Sequence, residues 1–317
     1  MFRVIFLSAL LIFLINFISG AVWTNDLNVD LIAYYTLNLT SGVVFDSLGL
    51  NNGTNNGATR GVTGMINASF QFDGVADFVN LSDVYDPLAG EFTYAFWFNN
   101  TDRDSTREHL FNKGDQQTGT GGIVEVRLET DNKLEFRLFD GGFDIFESTD
   151  TIVQDRWYFV VARRNSTNGI DVFMNNTLQA TGTSTKNVNP NFNMQLGAAY
   201  QNGCCSTEFA GLIDEFAIWN RSLNDSEITD LWNDGAGITF IPTSVDSCTC
   251  PAINNDFNIN MADFCVITVD CFLGTGRLNF TGAGNATFNA TINTTSMGFP
   301  SPNSTLFIQD SCRININ

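Results

Sequence analysis

Ile123-Val124-Glu125-Val126-Arg127-Leu128-Glu129-Thr130-Asp131-Asn132-Lys133-Leu134-Glu135-Phe136-Arg137-Leu138 alternates apolar and charged side chains almost without a break. Val124, Val126 and Leu128 fall on one face of an extended chain, and Glu125, Arg127 and Glu129 on the other. This is the period of two that marks a half-buried strand. Leu134, Phe136 and Leu138 repeat the pattern after Asp131-Asn132, a pair that accommodates a tight turn. The stretch reads as an antiparallel hairpin with one dry face, and a dry face needs a second layer to cover it. On either side lie further strand-like segments at 31–37, 69–72, 77–81, 92–98, 157–163, 170–174, 194–198 and 209–219. Asn168-Gly169 and Asn175-Asn176 supply turn signals between them. Short strands at this spacing, without alternating helices, predict two packed antiparallel sheets, an all-β sandwich.

One helix interrupts the pattern. Asn224 caps it and Glu227 stands at its third position, the reciprocal arrangement that satisfies two free backbone donors. Ile228, Leu231 and Trp232 share a face, and Gly235 is expected to stop the helix as a C′ residue. Trp97, Trp157 and Trp219 lie inside strand patterns and are expected in the core.

The ends differ from the middle. Residues 1–20 have Arg3 near the start, an apolar run from Val4 to Ile18, and then Ser19 and Gly20, the layout of a secretory signal peptide. The alternative is a retained N-terminal anchor, although the run is short for a span. No later stretch has the roughly 18 apolar residues of a further span. The mature chain is therefore expected outside the membrane, secreted or at the cell surface. A sandwich is expected over 24–238, a linker with Pro242 over 239–247, and a Cys-containing β-rich region over 248–317. That last region has β segments at 266–269, 278–280, 286–292, 306–308 and 314–316. Their regular spacing fits either the first coils of a parallel β-helix or a small disulfide-stapled module.

The 317-residue chain carries a formal charge of −19, with only 15% charged residues and 44% hydrophobic ones. A surface of that sign repels phosphate backbones, so nucleic acid is excluded as an expected partner. The seven cysteines are Cys204, Cys205, Cys248, Cys250, Cys265, Cys271 and Cys312. In an exported chain they read as disulfide candidates. The spacing of Cys248, Cys250, Cys265 and Cys271 departs from a zinc knuckle, and no His lies nearby. Asn-x-Ser/Thr sequons occur throughout, among them Asn38, Asn80, Asn99, Asn175, Asn220 and Asn289, and are candidates for glycosylation.

Several motifs in order carry a resemblance. They are Leu31-Ile32-Ala33-Tyr34-Tyr35-Thr36-Leu37, Asp46-Ser47-Leu48-Gly49-Leu50-Asn51-Asn52-Gly53, Phe70-Gln71-Phe72-Asp73-Gly74 with Asp77-Phe78-Val79, and Phe92-Thr93-Tyr94-Ala95-Phe96-Trp97. Gly211-Leu212-Ile213-Asp214-Glu215-Phe216 and Trp219-Asn220-Arg221-Ser222-Leu223 follow. Over about residues 25–238 the chain resembles the LamG-like jelly-roll family of the concanavalin A-like lectin/glucanase superfamily. The Cys204-Cys205 loop and Leu50 depart from the family pattern. The resemblance implies a module that binds glycans or extracellular proteins, often with a structural Ca²⁺ at the rim of the sandwich.

Calcium wants six to eight oxygen ligands. The 46–53 loop offers Asp46, Asn51 and Asn52, and the family resemblance places Asp214 near that loop. One structural Ca²⁺ on Asp46 and Asp214 is the expectation. The alternative gives Asp46 an Asx turn and Asp214 a strand-end hydrogen bond, and Asp73 and Asp77 are second-choice ligands. Ligand contacts are expected on loops, at Phe143, Tyr200 and Asn202. Hydrolysis on this fold requires a close pair of carboxylates, and related glucanases place them as Glu-x-Asp-x-x-Glu, a run this sequence lacks. Asp214 and Glu215 are adjacent, which puts them on opposite faces of a regular strand. The single His, His109, reads as a strand-edge residue. The sequence thus points to a non-catalytic recognition module, with a surface-layer or matrix component as the alternative and a glycoside hydrolase as a third reading.

Overall fold

The computed structural model describes residues 21–102, 106–201 and 204–240. Beyond them it describes the separate segments 253–254, 256–260, 266–267, 270–275, 277–281, 285–288, 291–298, 305–308 and 314–316. The expected signal segment, residues 241–247 of the expected linker, Asn202, Asn289, Cys248, Cys250, Cys265 and Cys312 lie outside the described residues.

The alternating stretch forms the expected hairpin of β8 (Ile123–Leu128) and β9 (Lys133–Phe139), pairing Val124 with Leu138, Val126 with Phe136 and Leu128 with Leu134. Asn132 turns the chain at φ 68°, a left-handed conformation that Asn tolerates. This hairpin sits in a seven-stranded antiparallel sheet. Its order is β10 (Phe143–Thr151), β9, β8, β7 (Glu108–Lys113), β14 (Met194–Leu196), β5 (Phe78–Asn80) and β2 (Thr54–Asn56). The opposing sheet runs β13 (Thr177–Thr183), β12 (Gly169–Met174), β11 (Trp157–Arg164), β6 (Phe92–Asn100), β17 (Ala210–Trp219), β4 (Ala68–Asp73) and β3 (Thr59–Thr63). In it, β1 (Leu31–Tyr35) also pairs with β17. The expected antiparallel sandwich is the observed architecture.

Two apolar layers hold it together. Between the sheets, Phe70, Phe96, Phe98, Phe111, Phe136, Val124, Val126, Leu128, Ile213 and Phe216 form the main core. Outside the larger sheet, Trp97, Phe159, Ala217 and Trp219 form a second layer with Trp23, Leu27, Ile228, Leu231, Ile238 and Phe240. The three expected core tryptophans belong to this second layer, Trp157 only partly buried against it. Phe240 stacks on Tyr34 at 4.3 Å and meets Trp23 edge-on at 4.7 Å. Packing therefore continues two residues past the expected end of the sandwich at 238.

Helix α1 (Asp225–Trp232) covers that second layer, and its capping box of Asn224 and Glu227 is present. It ends earlier than expected. Asn233 takes the left-handed conformation at φ 45°, so Asn233 and not Gly235 stops it.

A short hairpin, β15 (Ala199–Gln201) and β16 (Cys204–Ser206), stands apart from both sheets. Past residue 250 the strands pair in parallel: β18 (Phe257–Asn260) with β21 (Leu278–Thr281), β19 (Val266–Ile267) with β22 (Asn285–Phe288) and β24 (Thr305–Ile308), and β20 (Cys271–Phe272) with β23 (Ile292–Thr294) and β25 (Ile314–Ile316). Side chains climb the stack at an offset of 21 residues. Asn279 Nδ2 donates to Asn258 Oδ1 at 2.9 Å, and Asp256 and Asp270 accept from the backbone N–H groups of Arg277 and Thr291. Parallel pairing at offsets of 20 to 22 residues is the arrangement of β-helix coils. The buried Cys271 is also disulfide-bonded, so stacking and bridging both occur here.

Candidate functional site

Strand register, rather than any local motif, assembles the most suggestive surface. Val79, Val124, Leu138, Met194 and Leu196 of the seven-stranded sheet face the core, so their strand neighbours face outward. Pairing then aligns Thr54, Asn80, Gln195, Asn112, Glu125, Arg137 and Ile145 in one row across all seven strands.

The middle of this row is charged yet covered. Glu125 is fully buried and accepts hydrogen bonds from Arg137 Nη1 at 2.9 Å, from Asn112 Nδ2 at 3.1 Å and from Gln116 Nε2. His109 Nε2 lies 3.2 Å from Glu125 Oε2. Burial alone would raise the Glu125 carboxyl, but His109, Arg137 and Arg127 outweigh burial and hold it at about 2. Beside it Arg127 binds Glu135 through Nε at 3.1 Å, and Arg107 binds Glu129 at 2.9 Å. His109, expected at a strand edge, sits instead in β7 between β14 and β8. It is 2% exposed, and its Nδ1 lies 2.6 Å from Thr207 Oγ1. Phe143, expected on a loop, opens the edge strand β10. Its ring centre lies 3.6 Å from the Arg137 guanidinium, a contact that joins it to the charged lattice.

At the β5 end the row becomes neutral and open. Phe78 and Asn80 from β5, Gln195 from β14, Asn191, Phe192 and Asn193 from the preceding loop, and Tyr200 from β15 line a groove of about 320 Å³. Tyr200 is fixed there because its N–H donates to Asn112 Oδ1 at 3.0 Å and its carbonyl accepts from Gln116 N at 3.0 Å. Its ring meets Phe192 at 5.3 Å and 44°. Three aromatic rings and four side-chain amides thus converge, with no carboxylate among the described lining residues. Of the ligand candidates read from sequence, Tyr200 is the one among the described residues that falls here. The other six lining residues went unread as ligand contacts, since three lie inside strands and their partners stand over a hundred residues away.

The expected calcium ligands are placed differently. Asp46 is buried, and its Oδ1 accepts from the backbone N–H of Tyr34 and Leu48. Its Oδ2 accepts from the N–H of Leu50 and Asn51 and from Asn51 Nδ2. Asn52 Oδ1 is taken by the Asp46 N–H at 2.9 Å. A carboxylate ringed by N–H donors braces its own loop, and positive dipoles pointing at it oppose a cation. The donor set at Asp46 does not fit Ca²⁺. Adding millimolar Ca²⁺ is accordingly expected to leave the melting temperature of the EDTA-treated protein unchanged within about 1 °C. A rise of several degrees that Asp46→Asn abolishes would contradict this.

Asp214 is also buried, its Oδ2 accepting from Ile66 N at 2.9 Å. Burial pushes its carboxyl up to about 7, although the backbone N–H groups of Ile66, Met65 and Glu215 pull the other way. The expectation that Asp214 and Glu215 face apart is overturned. β17 bulges between Asp214 and Ala217, with Glu215 at φ 52°. Ile213 and Phe216 both enter the main core, so the two acids share the opposite face. Glu215 points among Tyr34, Ile66, Trp97 and Trp219 and accepts from the Tyr34 hydroxyl. Both acids lie beneath the second apolar layer, Asp214 0% and Glu215 5% exposed.

Residues 73–229 match the family model Laminin G 3, described as the concanavalin A-like lectin/glucanases superfamily. The sandwich belongs to that superfamily. No curated protein sequence matches the chain. Among solved structures, the concanavalin A-like sandwich is similar to domain 4 of an extracellular arabinanase from Geobacillus stearothermophilus, in complex with arabinotriose. The match has TM-score 0.50 and 20% identity, covering 63% of this chain and 97% of that one. It is similar also to the sialidase of Trypanosoma rangeli, with TM-score 0.52 and 16% identity, covering 66% of this chain and 34% of that one. A third likeness is the receptor-binding domain of a botulinum neurotoxin C/D mosaic, with TM-score 0.51 and 13% identity, covering 65% and 51%. These likenesses establish a shared fold. Among the described residues no helix is long and apolar enough to cross a membrane.

Proposed function

We propose that the sandwich is an extracellular recognition module that binds a neutral oligosaccharide in the groove between Phe78 and Tyr200. The observation that carries this reading is the composition of the groove, three aromatic rings and four amides with no carboxylate among the described lining residues. Sugar C–H faces pack on aromatic rings, and side-chain amides, each both donor and acceptor, pair with hydroxyls. The volume falls within the range of small-molecule sites. Hydrolysis needs an acid and a nucleophile or base flanking the bond, two carboxyls roughly 5 to 9 Å apart. The carboxylate next along the row, Glu125, is tied to arginine, which favours binding over catalysis. Arabinotriose in a domain of the same fold makes arabino-oligosaccharides a sensible first probe.

Glycan-array binding followed by calorimetry tests the proposal. Tyr200→Ala and Asn193→Ala are each expected to weaken binding at least tenfold while leaving tryptophan fluorescence unchanged, because all five tryptophans lie in or against the second apolar layer. A blank array at high protein concentration would instead favour a structural surface component. The parallel coils past residue 250 favour that second reading, since stacked coils build a rod rather than a site.

A further inference from the structure

We infer that the groove is itself a glycosylation site, and that a glycan on Asn80 lodges there in competition with any free one. This rests on the reading of the groove as a sugar site. Asn80-Leu81-Ser82 is a sequon, and Asn80 lines the groove beside Phe78, two residues earlier on the same face of β5. Ser82 leaves the strand at φ 63°, is exposed, and donates its N–H to Asn80 Oδ1 at 2.8 Å. That Asx turn orients the carboxamide at the strand end. A sugar attached to Nδ2 would therefore start between Phe78, Phe192 and Tyr200, on the rings proposed to hold a free ligand. Asn99 and Asn220 lack this setting. Asn99 lies within β6 with its side-chain Oδ1 buried. Asn220 is exposed after β17, beside no groove, and serves as an internal control.

Attachment requires a lipid-pyrophosphate-linked oligosaccharide as donor. The bond between sugar C1 and Asn80 Nδ2 forms as the bond from C1 to the pyrophosphate oxygen breaks. The lipid pyrophosphate leaves with the bonding pair, and Nδ2 gives up one proton.

The test begins with the full chain secreted through a glycosylating pathway. Glycopeptide mass spectrometry is expected to find Asn80 occupied, and an unmodified Asn80 overturns the inference whatever the state of Asn220. Ser82→Ala removes the sequon but keeps the groove. Against a panel of arabino-, manno- and chito-trioses, Ser82→Ala is expected to bind at least tenfold more tightly than the glycosylated form, and equal affinities would overturn the inference. If neither form binds any panel member, the recognition reading fails, and a separate measurement still decides this one. Release of the Asn80 glycan by N-glycanase from the native protein is expected to be at least tenfold slower than release from Asn220, or from Asn80 after denaturation. Equal rates would show that the glycan does not rest in the groove.

Discussion

Replacing Arg164 by methionine is expected to lower the unfolding free energy of the sandwich by on the order of 4 kcal/mol, the largest effect of any single polar side chain considered. Arg164 ends β11 and is fully buried. Its guanidinium donates from Nε to Gly90 O at 2.6 Å and from Nη1 to Lys186 O at 2.8 Å. Nη2 reaches Leu88 O at 2.7 Å and Pro87 O at 3.2 Å. It also stands 4.9 Å from the centre of the Phe92 ring. Four carbonyls from two separate loops thus gather on one planar fork of donors. Methionine matches much of the volume but leaves Gly90 O and Lys186 O without a donor, while Pro87 O and Leu88 O keep only the backbone N–H groups of Gly90 and Val188, and each buried unsatisfied group costs about 1–3 kcal/mol. Lysine keeps the charge as a compact ammonium that cannot span four carbonyls, so Arg164→Lys should recover only part of the loss. The readout is the urea midpoint followed by tryptophan fluorescence, with an unchanged slope. A loss below about 1 kcal/mol for the methionine variant would show that the loops hold without this residue.

Arg164 was invisible in the sequence because an arginine at a strand end normally reaches water, and nothing local announces loops closing over it. The β8–β9 hairpin was legible for the opposite reason, since one face is apolar and the other charged along its whole length. β7 escaped notice because all six of its residues are buried. Its outward Asn112 and His109 are roofed by the segment carrying Tyr200 and Thr207, which erases the contrast between wet and dry faces. The bulge at Glu215 could not be read either, because a non-glycine residue at positive φ leaves no compositional trace. The groove is the sharpest case. Phe78 and Asn80 meet Gln195 only because β14 inserts between β5 and β7, and strand order is a property of the whole fold. In the C-terminal coils Asp256 and Asp270 meet the backbone N–H groups of Arg277 and Thr291, which constrain no residue type, and Asn258 with Asn279 is the one like pair that bonds through side chains among the described residues. The period was therefore more visible in strand spacing than in residue identity.

Stability of the sandwich is expected to fall as pH rises from about 4 to about 7, the reverse of a protein held by salt-bridged carboxylates. Burial raises Asp214 to about 7 and raises Glu215 well above the ordinary carboxylate range. The Asp214 charge pushes Glu215 further in the same direction, and the Tyr34 hydroxyl opposes it. In the unfolded chain both acids lose their protons near pH 4. Between pH 4 and pH 7 the folded state consequently holds protons that the unfolded state has released, and stability declines through that window. Asp214 alone accounts for up to about 4 kcal/mol, and Glu215 adds to it with the same sign. Glu125 works oppositely, because a folded value of about 2 contributes stability that is lost as pH falls below the ordinary glutamate range. The two trends together place maximal stability near pH 4–5. The combined Asp214→Asn, Glu215→Gln variant removes both raised groups and keeps acceptors for Ile66 N and the Tyr34 hydroxyl. It should match the parent near pH 4.5 and exceed it by several kcal/mol at pH 8, measured by urea unfolding on tryptophan fluorescence. A parent whose stability climbs from pH 5 to pH 7.5, or a downward slope that survives the double replacement, would rule out this buried pair as its source.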